Sequence, residues 1–445
     1  MSSQSKNDIA WSSLFGKYDI LKQISSKGIF TIASEQINEF REARLMTKFD
    51  HSFQLPKLFV QENLSILPIS RGEYIIAPID TFCRFEDNYT LNVVDIERPQ
   101  HIESLDYDNI TSEAMAINCA YVSGIIRDFT EDEELMPTVS GRMSSQTFDF
   151  TISSSNGAKE ERLKVGVSNS QIEIDGGYEG LNSLNLIEAK NSISKDFLVR
   201  QLYYPYRLWN GKVIKSVRTL FLTYTNGIFY LREYKFEDAN FYNSLRLVKE
   251  KKYRIKDTAS IVVNLQTIEE LVAKTAIIDE PTTVPFPQAD SFARVINLCE
   301  IINSEKDKVI SKEDLGSNYD FTDKDSFDGR QIDYYTNAAI YLELISKINS
   351  RDDNIFYVLT KNGRTLFDLH MQLRQLKFAE IILKHKVFRK TLDLYLKKAE
   401  VPSKAEVVPI MKESNLYNIK SDSTFERRAS TVISWINWVV GLIEE

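Results

Sequence analysis

The chain has 445 residues, 43% of them hydrophobic and 27% charged, with 16 glycines and 11 prolines; this excludes a disordered or low-complexity protein and leaves room for two to four domains at roughly 100–200 residues each. Cys83, Cys119 and Cys299 stand far apart and the four histidines (His51, His101, His370 and His385) are scattered, which excludes a disulfide scaffold and a Cys-x-x-Cys zinc site. The net charge of -8 argues against nucleic acid as a partner, but only as an average.

Residues 1 to about 100 mix a helical start with strands. NEFREARLMTKF has amphipathic helical spacing, and SILPISRGEYIIAPI reads as a hairpin turning at Arg71-Gly72. Asn109 to Phe129 reads as one mostly buried helix, followed by the acidic turn EDEELMPTVSGR. VSGRMSSQTFDF reads as a loop entering a strand; Arg142, Ser144, Ser145 and Gln146 are candidate DNA contacts there, with a plain polar turn as the alternative. FDFTISS, ERLKVGVS, SQIEIDGG and LNLIEAKN are short β runs separated by Gly, Asn and Ser. A helix is expected from near Ser194 through SKDFLVRQLYYPYRLW, then a strand pair turning at Asn226-Gly227. Asp279 to Asp290, DEPTTVPFPQAD, holds three prolines in twelve residues and is the clearest boundary.

Beyond it, DSFARVINLCEIINSE is an amphipathic helix, SKEDLGSNY a short helix capped by Ser311, SFDGRQIDYYTNAAIYLELIS a longer helix, and NIFYVLTKNGRTLF a strand pair turning at Asn362-Gly363. This is the order of a winged helix-turn-helix, whose recognition helix presents its first residues to the major groove. Those residues are Arg330, Gln331, Tyr334 and Asn337, with Asn362 and Arg364 on the wing; a winged module used for protein contact is the alternative. Leu366 to Glu445 is basic and helical, and its closing helix, capped by Asp422 or Ser423, carries Arg427, Arg428, Ser430 and Thr431 ahead of an apolar stripe of Trp435, Trp438 and Val439. It looks like a second recognition helix of winged type.

Charge is segregated along the chain. Residues 73–134 hold fifteen acids against three bases, residues 190–256 fifteen bases against five acids, and residues 361–440 fifteen bases against eight acids. A polyanion responds to the field within about 8–10 Å, so two basic, Tyr- and Arg-containing segments predict a phosphate-facing surface. No run approaches ~18 uncharged apolar residues, so no membrane span is expected. The first residues lack a signal peptide's layout, which makes the cytoplasm the expected compartment.

The sharpest chemical signal is QIEIDGGYEGLNSLNLIEAKN. Asp175 ends one strand; Glu188 and Lys190 lie in the next and project from one face, because strand side chains alternate. If the two strands pair, Asp175 reaches that face too. Two carboxylates suit Mg²⁺, which binds one or two such groups and keeps several waters, and Lys190 can position water or offset charge on a phosphate. Glu173 shares the strand parity of Asp175 and is a possible extra ligand; Glu179 sits in the turn and carries less weight. A surface Glu-x-Lys pair and a turn aspartate are the ordinary alternatives, but LNLIEAKN is an apolar run, and charge at the end of a buried strand is costly.

Asp175, a twelve-residue gap and Glu188-Ala189-Lys190 resemble the motif of the PD-(D/E)xK nuclease superfamily, and within it the type II restriction endonucleases; the first motif here reads Ile-Asp rather than Pro-Asp. The stretches LPKLFVQENLSILPISRGEYII and VSGRMSSQTFDFTI, with the C-terminal segments, also look like parts of large restriction enzymes carrying winged helices. The resemblance implies Asp175 and Glu188 as metal ligands, Lys190 as the catalytic lysine, Gln201 of the following helix near the active site, and Glu113 of the first helix as an additional acid; a plain first-turn acid is the alternative for Glu113. It implies an α+β multidomain fold: a restriction-endonuclease-like mixed sheet flanked by helices, plus winged helix-turn-helix modules. The expected divisions are an N-terminal recognition or accessory domain over residues 1–100, the nuclease over 101–278, a winged helix over 290–365 and a second winged-helix-like domain over 366–445. The expected activity is Mg²⁺-dependent, site-specific cleavage of double-stranded DNA to 5′-phosphate ends, sensitive to base methylation or dependent on it. The expected setting is the cytoplasm of a bacterium or archaeon, with a homodimer as one assembly and a methyltransferase acting on the same site. A non-catalytic DNA-binding regulator and a structure-specific repair nuclease are the competing readings.

Overall fold

Ser5 begins the first helix: its hydroxyl accepts the Asp8 amide at 3.0 Å while the Asp8 carboxylate accepts the Ser5 amide at 3.1 Å. The computed structural model describes the chain apart from residues 1–4, 87, 89–90, 157–160, 258–261, 322–329, 351, 353 and 445. Helices α1 (Lys6–Lys17) and α2 (Ile20–Lys27), strand β1 (Phe30–Ala33), short helices α3 (Ser34–Asn38), α4 (Ala43–Thr47) and α5 (Lys57–Gln61), and strands β2 (Ser65–Pro68) and β3 (Glu73–Ala77) make the N-terminal unit. Its antiparallel sheet runs β1-β3-β2 over a core that includes Trp11, Leu14, Met46 and Phe59. The hairpin at Arg71-Gly72 is as expected. NEFREARLMTKF is not one helix: Asn38 Oδ1 takes the Ala43 amide at 2.7 Å and turns the chain between α3 and α4.

The central unit holds β4 (Phe82–Arg84), β5 (Val93–Glu97), α6 (Glu113–Val122), α7 (Ile125–Thr130), β6 (Met136–Ser144), β7 (Thr147–Ser153), β8 (Arg162–Ser168), β9 (Gln171–Glu179), β10 (Ser183–Lys190), β11 (Asp196–Leu198), α8 (Arg200–Asn210), β12 (Ser216–Thr225), β13 (Ile228–Phe236), β14 (Leu245–Lys256) and α9 (Leu265–Lys274). Its main sheet has seven strands in the order β5-β14-β13-β12-β10-β9-β6. It is mixed, since β10–β12 and β14–β5 are parallel and the other pairs antiparallel. Helix α6 and α7 cover one face, and α8 covers the other. Three local expectations need correction. The helix expected over 109–129 is two, broken where Gly124 adopts φ 86°. VSGRMSSQTFDF is not a loop but the end of β6, a turn at Ser145-Gln146 and the start of β7. The segment after Ser194 first forms β11, paired with β4, and helix begins only at Arg200.

The basic run of residues 190–256 meets the acidic run rather than solvent over much of β14. Lys249 pairs with Glu131, Lys251 with Asp128 at 3.2 Å, and Arg254 and Lys256 with Asp95 at 2.9 and 2.8 Å. Parallel pairing of β5 with β14 brings opposite charges into register, so this part of the expected phosphate-facing surface is already neutralised.

The C-terminal unit comprises α10 (Phe292–Ser304), β15 (Val309–Ser311), α11 (Lys312–Asn318), α12 (Arg330–Tyr341), β16 (Ile345–Asn349), β17 (Ile355–Leu359), α13 (Lys361–Leu366), α14 (Met371–Leu383), α15 (Lys386–Lys398), α16 (Lys404–Lys412) and α17 (Asp422–Val440). A small sheet, β15-β17-β16, packs with α10–α12. The strand pair is β16–β17, not a hairpin at Asn362-Gly363: those two residues lie inside α13, where Thr360 Oγ1 accepts the Gly363 amide at 3.0 Å. Arg364 is therefore not on a wing. Residues 366–445 contain helices alone among the described residues, with no sheet for a second wing. They share one core with α10–α12, in which Phe388 stacks on Trp435 at 5.1 Å and Phe292 meets it edge-on at 5.0 Å. The cap of α17 is Ser421, not Asp422 or Ser423. Among the described residues no helix is long and apolar enough to cross a membrane.

Gly363 serves close packing rather than a turn, since a Cβ there would fall 2.1 Å from the Leu344 carbonyl oxygen. Gly363→Ala is expected to lower stability by about 1–3 kcal/mol through forced overpacking, read as a shift of the denaturant midpoint.

Candidate active site

Strand β9 runs beside β10 in paired register as far as Gly176 opposite Ile187. At the next position the ladder gives way. Asp175 Oδ2 takes the Ala189 amide at 2.9 Å in place of a main-chain partner, so β9 and β10 part there. β10 continues alone against β12, with Glu188 opposite Phe221 and Lys190 opposite Thr223. The fork leaves room for side chains to converge.

Glu188 is buried, at 7% exposure. Its Oε1 accepts from Lys190 Nζ at 2.6 Å and from Gln201 Nε2, the second residue of α8. Lys190 Nζ lies 3.7 Å from Glu113 Oε1. Glu113 opens α6, whose cap is the Ser112 hydroxyl accepting the Met115 amide at 3.2 Å. Asp175, Glu188, Lys190, Gln201 and Glu113 thus gather at one fork. Glu173 turns instead to an exposed ion pair with Arg142 at 3.3 Å, and Glu179 pairs with Lys215 at 2.8 Å; neither joins the cluster.

Sequence reasoning missed Asp50 of the N-terminal unit. Its carbonyl accepts the Leu198 amide at 2.8 Å, and its carboxylate acts on Glu113, Glu188 and Lys190. Asp196 anchors this segment, accepting the Ser52 amide at 2.9 Å and the Ser52 hydroxyl, while its carbonyl meets His51 Nδ1 at 2.5 Å. Burial lowers the His51 pKa. Nothing in residues 48–52 marks them as site-forming; only the docking of two units does.

The electrostatics follow from one cation among several carboxylates. Burial pushes Glu188 up to about 8; Lys190 opposes this, while Asp175 and Asp50 add to it. Glu113 is raised for the same reasons, burial first. Lys190 is raised despite its burial because Glu188, Glu113 and Asp50 surround it. Four carboxyl groups, Asp175, Glu188, Glu113 and Asp50, thus share their surroundings with one lysine. The Gln201 carbonyl oxygen is buried with no hydrogen-bond partner, which leaves a hard oxygen donor at the cluster. Among the described residues no group of three or more Asp, Glu, His or Cys side chains is arranged to hold a metal ion. A magnesium ion, held by one or two carboxylates and several waters, suits an open set of Asp175, Glu188 and the Gln201 oxygen.

The remaining candidates are dispersed. Ser144 donates to Asn169 Oδ1 at 3.0 Å, Ser145 is buried and donates to the Gln146 carbonyl at 2.9 Å, and Gln146 is exposed at a tip with φ 60°; Ser145 is thus unavailable for contact. On α12, Gln331, Tyr334 and Asn337 are half-buried, while the side chain of Arg330 and the residues before it lie outside the described residues. Arg364 is exposed on α13, its Nε on the Leu359 carbonyl at 3.2 Å. Arg427 is exposed; Arg428 is pulled down to about 10 by burial and by Arg427, with Tyr334 nearby. Thr431 is fully buried, donating to Asp290 at 2.7 Å, and is removed as a surface contact.

Three family models match successive parts of the chain, each described as a domain of unknown function: DUF6996 over residues 8–76, DUF6997 over 77–254 and DUF7226 over 294–444. No curated protein matches, and no solved structure does.

Because Asp175 helps hold Glu188 in its protonated form, Asp175→Asn is expected to move Glu188 titration below pH 8, and Lys190→Met to move it above. Carboxyl ¹³C NMR of the metal-free protein reads both shifts.

Proposed function

We propose that the chain is a metal-dependent endonuclease that cuts double-stranded DNA at specific sites, with a fold like that of the restriction endonucleases. The observation that carries this reading is the convergence of Asp175, Glu188 and Lys190 at the β9–β10 fork. Asp175, Glu188 and the Gln201 carbonyl would hold Mg²⁺, which when bound supplies positive charge beside a phosphodiester and makes a coordinated water more acidic. Lys190, gripped by Glu188 and within reach of Glu113, holds an ammonium where the attacked phosphate gathers charge. Gln201 fixes the Glu188 carboxylate from the α8 side. Glu113, raised by burial, is placed to exchange a proton with water at the mouth of the site. Attack in line with the P–O3′ bond would leave a 5′-phosphate and a 3′-hydroxyl.

For DNA reading, the order α10–β15–α11–α12–β16–β17 with a three-stranded sheet supports a winged helix-turn-helix. Gln331, Tyr334 and Asn337 of α12, with Arg427 and Arg428 of α17, would form one face; two adjacent arginines that repel each other favour an anionic partner. Arg364 and the β6–β7 tip at Arg142, Ser144 and Gln146 would add backbone contacts. A two-fold site would be cut by a homodimer. The setting we propose is the cytoplasm of a bacterium or archaeon, beside a methyltransferase that marks the same sequence.

Phage DNA incubated with Mg²⁺ should give discrete fragments, and none in EDTA. Glu188→Ala and Lys190→Ala should each cut about 10²–10³-fold more slowly, the loss expected for a group that stabilises developing charge, while gel shifts show duplex binding retained. Binding without cleavage by the unaltered chain under every divalent metal would identify a regulator instead, and a smear would identify a nuclease that does not read sequence.

A further inference from the structure

Lys190 and Gln201 both hold the Glu188 carboxylate, and ten residues, 191–200, separate them in the chain. Lys190 is the last residue of β10 and has a strand partner on one side only, Thr223 of β12, because β9 has already parted. Its ammonium stands 2.6 Å from Glu188 and 3.7 Å from Glu113. Those distances depend on where the end of the strand lies, and the sheet alone does not hold the chain beyond it until β11 begins at Asp196.

Buried side chains of the C-terminal unit hold it instead. Asn297 of α10 is 4% exposed. Its Oδ1 accepts the Ile193 amide at 3.0 Å and its Nδ2 donates to the Asn191 carbonyl at 3.2 Å. A side-chain amide offers one edge with a donor and an acceptor, as a peptide group does, so Asn297 stands in for a further strand. Glu300, one turn along α10, accepts from the same Nδ2 at 3.1 Å and so fixes which way the amide faces. Asp320 is also buried and accepts the Lys195 amide at 3.2 Å. Arg294 bridges the two anchor points, donating to the Asp320 carbonyl and to the Ile193 carbonyl at 3.5 Å. The second half of the segment belongs to the N-terminal unit, through Asp50, His51 and Ser52. Helix α10 also lines a cleft of about 300 Å³ that begins at Glu113, which sets the C-terminal unit directly beside the site.

We infer that Asn297 and Asp320 are positioning residues: by holding the main chain of residues 191–195 they set where Lys190 lies between Glu188 and Glu113, so that the C-terminal unit completes the working geometry. The effect on cleavage rests on the nuclease reading, while the placement of the strand end rests on the hydrogen bonds themselves. A misplacement of about 1 Å at a reacting centre is enough to slow a reaction by about 10²-fold.

Methyl NMR of the full-length, metal-free chain labelled with [¹³C-methyl]alanine reads the strand end, since Ala189 is fully buried between Glu188 and Lys190. Asn297→Leu and Asp320→Ala are each expected to move the Ala189 signal. Leu392→Ala, a loss of packing in the same core from a helix that packs on α14, α16 and α17, is expected to leave it in place. With Mg²⁺ and duplex DNA, the first two variants should lower kcat by about 10–100-fold, the usual loss when a group that orients a working side chain is removed, with KM unchanged. Leu392→Ala should cut like the unaltered chain at a temperature where all are folded. An Ala189 signal that stays put in both Asn297→Leu and Asp320→Ala, or that moves as far in Leu392→Ala, overturns the proposal. The cleavage arm separates the two claims. No cutting by the unaltered chain under any divalent metal removes the nuclease while Ala189 still reports the placement of the strand, whereas full-rate cutting by both positioning variants removes the positioning role and leaves the nuclease.

Discussion

One ammonium beside one buried and three half-buried carboxyl groups is the constraint around which the centre of this molecule is arranged. Lys190 contacts Glu188 and Glu113, and Asp175 and Asp50 add their charge to the same small volume. Charge of one sign is expensive away from water unless it is paired. The protein meets that cost partly by raising Glu188 and Glu113 towards their neutral forms. Asp175 is held at this point by a main-chain amide of the neighbouring strand.

The surrounding architecture delivers four elements to that point. Two central strands supply Asp175, Glu188 and Lys190, α6 brings Glu113 by its first turn, and α8 brings Gln201. The N-terminal unit brings Asp50 through the clamp of Asp196 on residues 51 and 52. The C-terminal unit closes the far wall, where Glu300 and Tyr319 face the cleft that begins at Glu113. The site is therefore shared among regions that match three separate family models.

Electrostatics also decide where a polyanion can approach. A reading of the chain by blocks finds fifteen bases in residues 190–256, but β14 lays four of them against Asp95, Asp128 and Glu131. These pairs hold the edge of the sheet together and remove their charge from the outer field. On α17, Arg428 is depressed by burial and by Arg427, with Tyr334 and Asp290 acting the other way. An attractive surface is better sought there than along β14.

Much was legible in the order of residues. Short β runs bounded by Gly, Asn and Ser marked β7, β9 and β10, Asn226-Gly227 marked its turn, and the Asp175–Glu188–Lys190 spacing marked the fork, because strand geometry is local and puts alternate side chains on one face. Helix α11 announced itself through Ser311 for the same reason. What escaped was whatever depends on contacts distant along the chain. Gly363 reads as a turn glycine, yet it is small because Leu344 presses on it. Thr431 reads as a surface residue, yet it is buried against Asp290. Asp50 carries no signal until β11 brings Asp196 beneath its neighbours. The sequence by itself determined the chemistry available at the fork, since side-chain type and strand parity need no partner. Only the tertiary structure decided which other charges share that volume, because fields and burial are set by neighbours in space.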